Sequence, residues 1–201
     1  QVADALDSGL DAKDIIYIRN CVWKTKDKDR LPYEYELLPS YKEVVEDKEK
    51  YVLSFQIQYK NTDAFSSVSL VEQYDDTYIV QNPPEFPLSQ EEMDMTYNLP
   101  YMRQTHPEIE KQGHVPAIDE VKFSIISNRG CFGGCNFCAL TMHQGRIIQS
   151  RSKQSIIDEA KLISKDKDFK GYIHDIGGPT ANFYHPSCDK QEEHGVCVNK
   201  D

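Results

Sequence analysis

Apolar residues in this chain come in short groups between long polar stretches, and the grouping sharpens after residue 120. Before that point the pattern predicts irregular α+β structure. Ile15 to Trp23 is rich in β-branched and aromatic residues and predicts a strand, with an uneven hydrophobic phase. Ser40 followed by Glu43 is a capping-box signature, and Val44, Val45, Val52, Phe55 and Tyr59 then share one side of a helix, expected from Tyr41 to Lys60. Thr77 to Val80 predicts a short strand that runs into Asn82-Pro83-Pro84, where the prolines remove the donors a sheet needs. Ser89 with Glu92 opens another short helix, carrying Met93 and Tyr97 and ended by Pro100. His106 to Pro116 has the polar, proline-bounded pattern of a connection.

From Val121 the alternation is cleaner. Val121, Phe123 and Ile125 alternate with polar neighbours and predict a strand that delivers the chain into Asn128-Arg129-Gly130 and a group of cysteines. Ser152 or Ser155 can then cap a helix in which Ile156, Ala160 and Ile163 share a face. Gly171 to Ile176 predicts a second strand, ending in Gly177-Gly178-Pro179-Thr180. Strand, loop, helix, strand is a βαβ unit, which carries its functional loops on one rim. The expected organisation is α/β: an acidic α+β segment over residues 1–119, then a core over 120–201.

The chemistry concentrates in Cys131-Phe132-Gly133-Gly134-Cys135-Asn136-Phe137-Cys138, a C-x3-C-x2-C spacing. Three thiolates on one loop can each take an iron of a 4Fe-4S cubane and leave the fourth iron without a protein ligand, free to bind something else. Both spacings also suit zinc, with His143 or a distant cysteine closing a tetrahedron, so a zinc-stabilised structural or binding module is the alternative. Gly133 and Gly134 let the loop curl and present N–H groups to cluster sulfurs. Cys188 and Cys197 are spaced widely for a zinc knuckle and could ligate a second metal, pair or stay free, while Cys21 reads as a buried thiol.

The triplet, with an aromatic before its third cysteine, resembles the radical S-adenosylmethionine (SAM) enzymes. The continuation Ala139 to Ser152, the segment Phe169 to Asn182, and upstream Gln81-Asn82-Pro83-Pro84, Pro87 to Asp94 and Leu99-Pro100-Tyr101 resemble the YgiQ-type radical SAM family. The resemblance implies the start of a partial (βα) radical SAM barrel, with Cys131, Cys135 and Cys138 holding a 4Fe-4S cluster. It also implies SAM on the open iron, contacted by Phe137, Gly177 and Gly178, with an electron donor and an unidentified substrate as further partners. In the wider family a Gly-Gly-Glu segment receives the SAM ammonium. Pro179 stands here in place of the acid, which leaves backbone carbonyls or Asp175 for that role. Arg146 or Arg151 could pair with the SAM carboxylate through a planar fork, or be a surface or strand-pairing arginine. His143, Gln144 and Arg146 belong to the family signature without a role assigned by it; His174 and His185 have no partner spacing that singles them out.

Charge narrows the partners. The net charge is -10, and residues 1–120 carry 12 Lys and Arg against 24 Asp and Glu, whereas residues 121–201 carry 11 against 9. An acidic first part argues against nucleic-acid binding, which depends on clustered Lys and Arg. With no apolar run long enough to span a bilayer and clustered rather than paired cysteines, a cytoplasmic protein without a membrane partner is expected. The 81 residues from Val121 to Asp201 leave room for only two or three barrel strands, since a βαβ unit takes about 30 residues or more. A piece of a longer protein, with an unpaired sheet edge, is therefore the expectation.

Overall fold

Residues 1–178, 183–185 and 188–197 are described by the computed structural model. They divide into two units, one formed by Gln1–Phe86 with the described residues from His194 onward, the other by Pro87–Glu193. The first opens with helix α1 (Val2–Asp7) and is built on a mixed sheet of β1 (Val22–Thr25), β2 (Tyr35–Leu37), β3 (Ser69–Tyr74) and β4 (Thr77–Gln81). The strand order is β1-β4-β3-β2; β2 runs parallel to β3, and the other pairs are antiparallel. Val71 and Val80 face each other across the central pair and are fully buried, with Leu70 beside them.

The strand expected over Ile15–Trp23 begins only at Val22. The carbonyls of Ile16 and Ile18 are taken by the Nδ2 of buried Asn82, at 2.8 and 2.7 Å, and Trp23 Nε1 donates to Asn82 Oδ1 at 3.0 Å. One amide side chain thus replaces the sheet ladder for this segment. Asn20, at φ 60°, then turns the chain into β1.

The helix expected from Tyr41 to Lys60 is two helices, α2 (Tyr41–Glu46) and α3 (Lys48–Lys60). Asp47 leaves the helical region (φ −131°, ψ 117°) and accepts the Glu49 N–H, becoming the N-cap of α3. The Ser40–Glu43 capping box forms as expected. Val45, Val52 and Phe55 are exposed in this unit, so the predicted apolar side of the helix is not a core face here.

The second unit contains α4 (Gln90–Tyr97), the short helices α5 (Pro107–Glu110) and α6 (Ala117–Val121), β5 (Ser124–Ile126), β6 (Asn128–Arg129), α7 (Leu140–Gln144), β7 (Gln149–Ser150), α8 (Lys153–Ile163), β8 (Asp175–Gly177) and all but the last residue of α9 (Lys190–His194). The connection expected over His106–Pro116 holds α5, and Val121 closes α6 instead of opening β5. β5 and β8 pair in parallel with Ile125 opposite Ile176, and α8 lies between them in sequence, which realises the expected βαβ unit. The second strand is shorter than Gly171–Ile176 and ends on Gly177. Ser152, not Ser155, caps α8, accepting the Ser155 N–H at 3.1 Å.

Arg151 joins these pieces. Its side chain is fully buried; Nη1 donates to the Ile126 carbonyl at 2.8 Å, Nη2 and Nε to Ser155 Oγ at 2.8 and 3.2 Å, and Nη1 also pairs with Glu159. Glu159 pairs in addition with Arg103, and the guanidinium lies 4.7 Å from the Tyr97 ring centroid. Removing one partner of a buried charged network strands the others without water. Arg151→Ala is therefore expected to lower the unfolding free energy by about 3 kcal/mol, with Arg151→Lys intermediate because it keeps the charge and loses the fork. Urea denaturation measures this, and a loss under about 0.5 kcal/mol, the level of an ordinary surface change, would contradict it.

Candidate metal and cofactor site

The cysteine loop leaves the carboxyl end of β5 and has a closed neck. β6 pairs antiparallel with β7, Asn128 opposite Ser150 and Arg129 opposite Gln149. Beyond that pair, the Cys131 N–H donates to the Gly145 carbonyl at 3.0 Å and the Gly130 N–H to Gln144 Oε1 at 3.4 Å. At the base, the Ser127 N–H donates to the Gly177 carbonyl and the Arg151 N–H to the Ser127 carbonyl, both at 3.0 Å. The loop is thus tied to the end of β8 and to the start of α8 at once.

Two glycines make the neck possible. Gly130 has φ +87°, and a Cβ there would stand 2.0 Å from the Ile147 carbonyl oxygen. Gly145 ends α7 at φ +83°, which turns the chain back toward Cys131. The residues immediately before the first cysteine and just after the short helix are where close approach and reversal occur. A glycine before Cys131 and a glycine after an apolar helical turn were the sequence signals for both.

Within the loop, a Cβ on Gly133 would lie 3.4 Å from the Cys131 Sγ and 3.6 Å from the Cys135 Sγ. The two sulfurs therefore flank the space that a side chain would fill, a cradle that keeps them on one side of the loop. The Cys138 N–H donates to the Cys135 carbonyl at 2.9 Å, a tight turn between the second and third cysteines. All three cysteines are free, with Cys135 exposed and the other two half-buried. This glycine cradle and thiol set fit a cluster carried on separate thiolates. Among the described residues no three His, Cys, Asp or Glu side chains are grouped as ligands of a single ion.

The remaining residues singled out in the sequence have varied surroundings. Phe137 projects into solvent, 93% exposed. Gly177 is buried, and its carbonyl already accepts the Ser127 N–H; Gly178 is half-buried; the Asp175 carboxylate lies beside Gly177, 3.6 Å from where its Cβ would be. Pro179 and Thr180 lie outside the described residues. Arg151 turns its guanidinium into the fold, as described above, so it serves the structure and not a carboxylate in the loop. His143 is exposed on α7, and His174 stacks on Tyr172 while its Nδ1 meets the Glu120 carbonyl. Cys188 and Cys197 are free and exposed, whereas Cys21 packs against Ala5, Ile15 and Ile18. Phe132, which the sequence did not single out, stacks on Phe183 with centroids 4.3 Å apart and an interplanar angle of 27°.

Gly130→Ala tests the neck. The left-handed backbone and the clash with the Ile147 carbonyl are expected to cost about 2 kcal/mol or more. The readout is urea denaturation of the protein without metal. A variant as stable as the parent would show that the neck is not held as described.

The radical SAM N-terminal family matches this chain over residues 1–124. The chain is 51% identical over 200 residues to a UPF0313 protein of Clostridium botulinum (strain 657 / Type Ba4), covering all of this chain and 31% of that protein. It is 50% identical over 200 residues to a UPF0313 protein of Clostridium perfringens (strain 13 / Type A), covering 30% of it. The chain therefore spans about a third of the length of these relatives. No solved structure matches it. Nor, among the described residues, is any helix long and apolar enough to cross a membrane. With the family match extending over more than half of its length, and with UPF0313 proteins as its relatives, the chain belongs to the radical SAM N-terminal family and is of the YgiQ type.

Proposed function

We propose that this chain carries the cluster-binding part of a radical SAM enzyme, in which Cys131, Cys135 and Cys138 hold a 4Fe-4S cluster and SAM occupies the iron they leave open. The observation that carries the reading is the glycine cradle at Gly133, with the sulfurs of Cys131 and Cys135 on either side of it. A loop fastened at its neck and lined with free thiols is suited to thiolates that bind separate irons. Held by Cys131, Cys135 and Cys138, such a cluster would supply the one-electron reductive cleavage of SAM that this class of enzyme uses to start radical chemistry on a substrate.

This chain's own residues would position that chemistry. The exposed ring of Phe137 offers an apolar face to the adenine. Gly177 and Gly178, at the carboxyl end of β8, offer backbone to the methionine end of SAM, where ligands of α/β folds commonly sit. The Gly177 carbonyl has a second lone pair beyond the one engaged by Ser127. The parallel β5–β8 pair would be the first two strands of a partial (βα) barrel, with 120–201 as the core and 1–119 as the segment before it; the family match ending at 124 supports that division. A cytoplasmic setting and a separate electron donor go with the reading, because free thiols and a reduced cluster both need reducing surroundings.

Iron and acid-labile sulfide analysis of the full-length protein, reconstituted without oxygen, tests the assignment. About four irons and four sulfides per chain are expected at this site, with loss of both when Cys131, Cys135 and Cys138 are all changed to Ala. Stoichiometric zinc in place of iron, or full iron and sulfide in the triple variant, would overturn it.

A further inference from the structure

Backbone hydrogen bonds secure the neck of the cysteine loop, and beyond the neck the thiol-bearing part carries an aromatic contact. Between Cys131 and Cys138 the Cys138–Cys135 bond is local and ties the turn only to itself. Phe132 sits in that part, between the first two cysteines, and is half-buried, in contrast to exposed Phe137. Phe183 lies against it in a nearly parallel stack at 4.3 Å.

Phe183 belongs to a segment that is itself held at the foot of the loop. The Ser150 Oγ donates to the Tyr184 carbonyl, and the Tyr184 hydroxyl donates to the Arg151 carbonyl at 2.7 Å. Burial, reinforced by the Asp94 carboxylate and opposed by Arg151, raises the Tyr184 phenol above its ordinary pKa, so it stays protonated and remains a donor. The segment therefore grips β7 and the residue after it at one end, and the thiol-bearing part of the loop at the other.

We propose that Phe183 is a positioning residue for the cysteine loop, latching its thiol-bearing part through the stack on Phe132. Phe183 touches no thiol in this role. It acts by keeping the loop in the conformation in which the sulfurs flank Gly133, and by limiting the access of water and oxygen. An aromatic pair of this kind shifts a local opening equilibrium by about two- to tenfold. The effect on the thiols is independent of the function proposed above; the effect on a cluster rests on it.

The test uses the full-length protein and a double-mutant cycle of Phe132→Leu and Phe183→Leu, which keep apolar bulk and leave the fold intact. Alkylation of the metal-free protein by iodoacetamide is followed at each cysteine by mass spectrometry. Each single change is expected to speed alkylation of half-buried Cys131 by about two- to tenfold, with exposed Cys135 serving as a reference, Cys21 unaffected and the double variant no faster than the quicker single one. Phe183→Tyr, which keeps the ring, is expected to restore the parental rate. Additive effects in the double variant, or a rate at Cys131 that does not change, would overturn the latch. An equal rise at Cys21 would report general unfolding and would overturn it too. In the reconstituted protein the same single changes are expected to speed bleaching of the cluster in air. If the latch behaves as expected and no cluster forms in the parent, the latch stands and the cluster reading falls. If the parent holds its cluster and alkylation is unmoved, the reverse holds.

Discussion

The second unit depends on one buried charge. Arg151 follows the strand that closes the cysteine loop, and its guanidinium is shut away from water between the end of β5, the first turns of α8 and the Tyr97 ring. A buried guanidinium is tolerable only if its donors are met and its charge is balanced. Ile126, Ser155 and Glu159 meet those needs, and Glu159 is shared with Arg103. The main chain of the same residue is used as well: its N–H reaches Ser127 and its carbonyl receives Tyr184. The foot of the loop, the helix after it and the segment beyond β8 are therefore positioned relative to one another through a single side chain and its backbone.

What this arrangement accomplishes is to hold a thiol-bearing loop at the carboxyl end of a parallel strand pair. The neck consumes the backbone groups of Gly130, Cys131, Gly145 and the β6–β7 pair, so the loop is closed at its base. The first two sulfurs are kept to one side by the missing side chain of Gly133. Rigid support below and free thiols above is the division of labour that a bound cofactor requires. The radical SAM N-terminal family match covers the segment that precedes this loop, residues 1–124.

Much of this was legible in the sequence because it is local. Both capping boxes, Ser40 with Glu43 and Ser89 with Glu92, form as read, since a cap needs only residues three apart. The βαβ connection was legible from alternating residues and a capped helix. The signals failed where distant side chains compete with local propensity. Ile15–Cys21 has strand composition, but Asn82, more than 60 residues away, takes its carbonyls. The break at Asp47 was hidden by continuous helical periodicity, although Asp is a favoured N-cap. Arg151 reads in the sequence as a carboxylate fork or a surface or strand-pairing arginine, because its partners at 103, 126 and 159 assemble only in three dimensions. Phe132 was passed over for Phe137, which has the motif position, while Phe132 has the contact.

The central claim is that three thiolates leave an iron open for SAM. Electron paramagnetic resonance of the reduced, reconstituted full-length protein, recorded with and without SAM, tests it most directly. The account predicts that SAM changes the spectrum of the cluster, because its amino and carboxylate groups become ligands of one iron. A reduced cluster whose spectrum is identical at saturating SAM would contradict it.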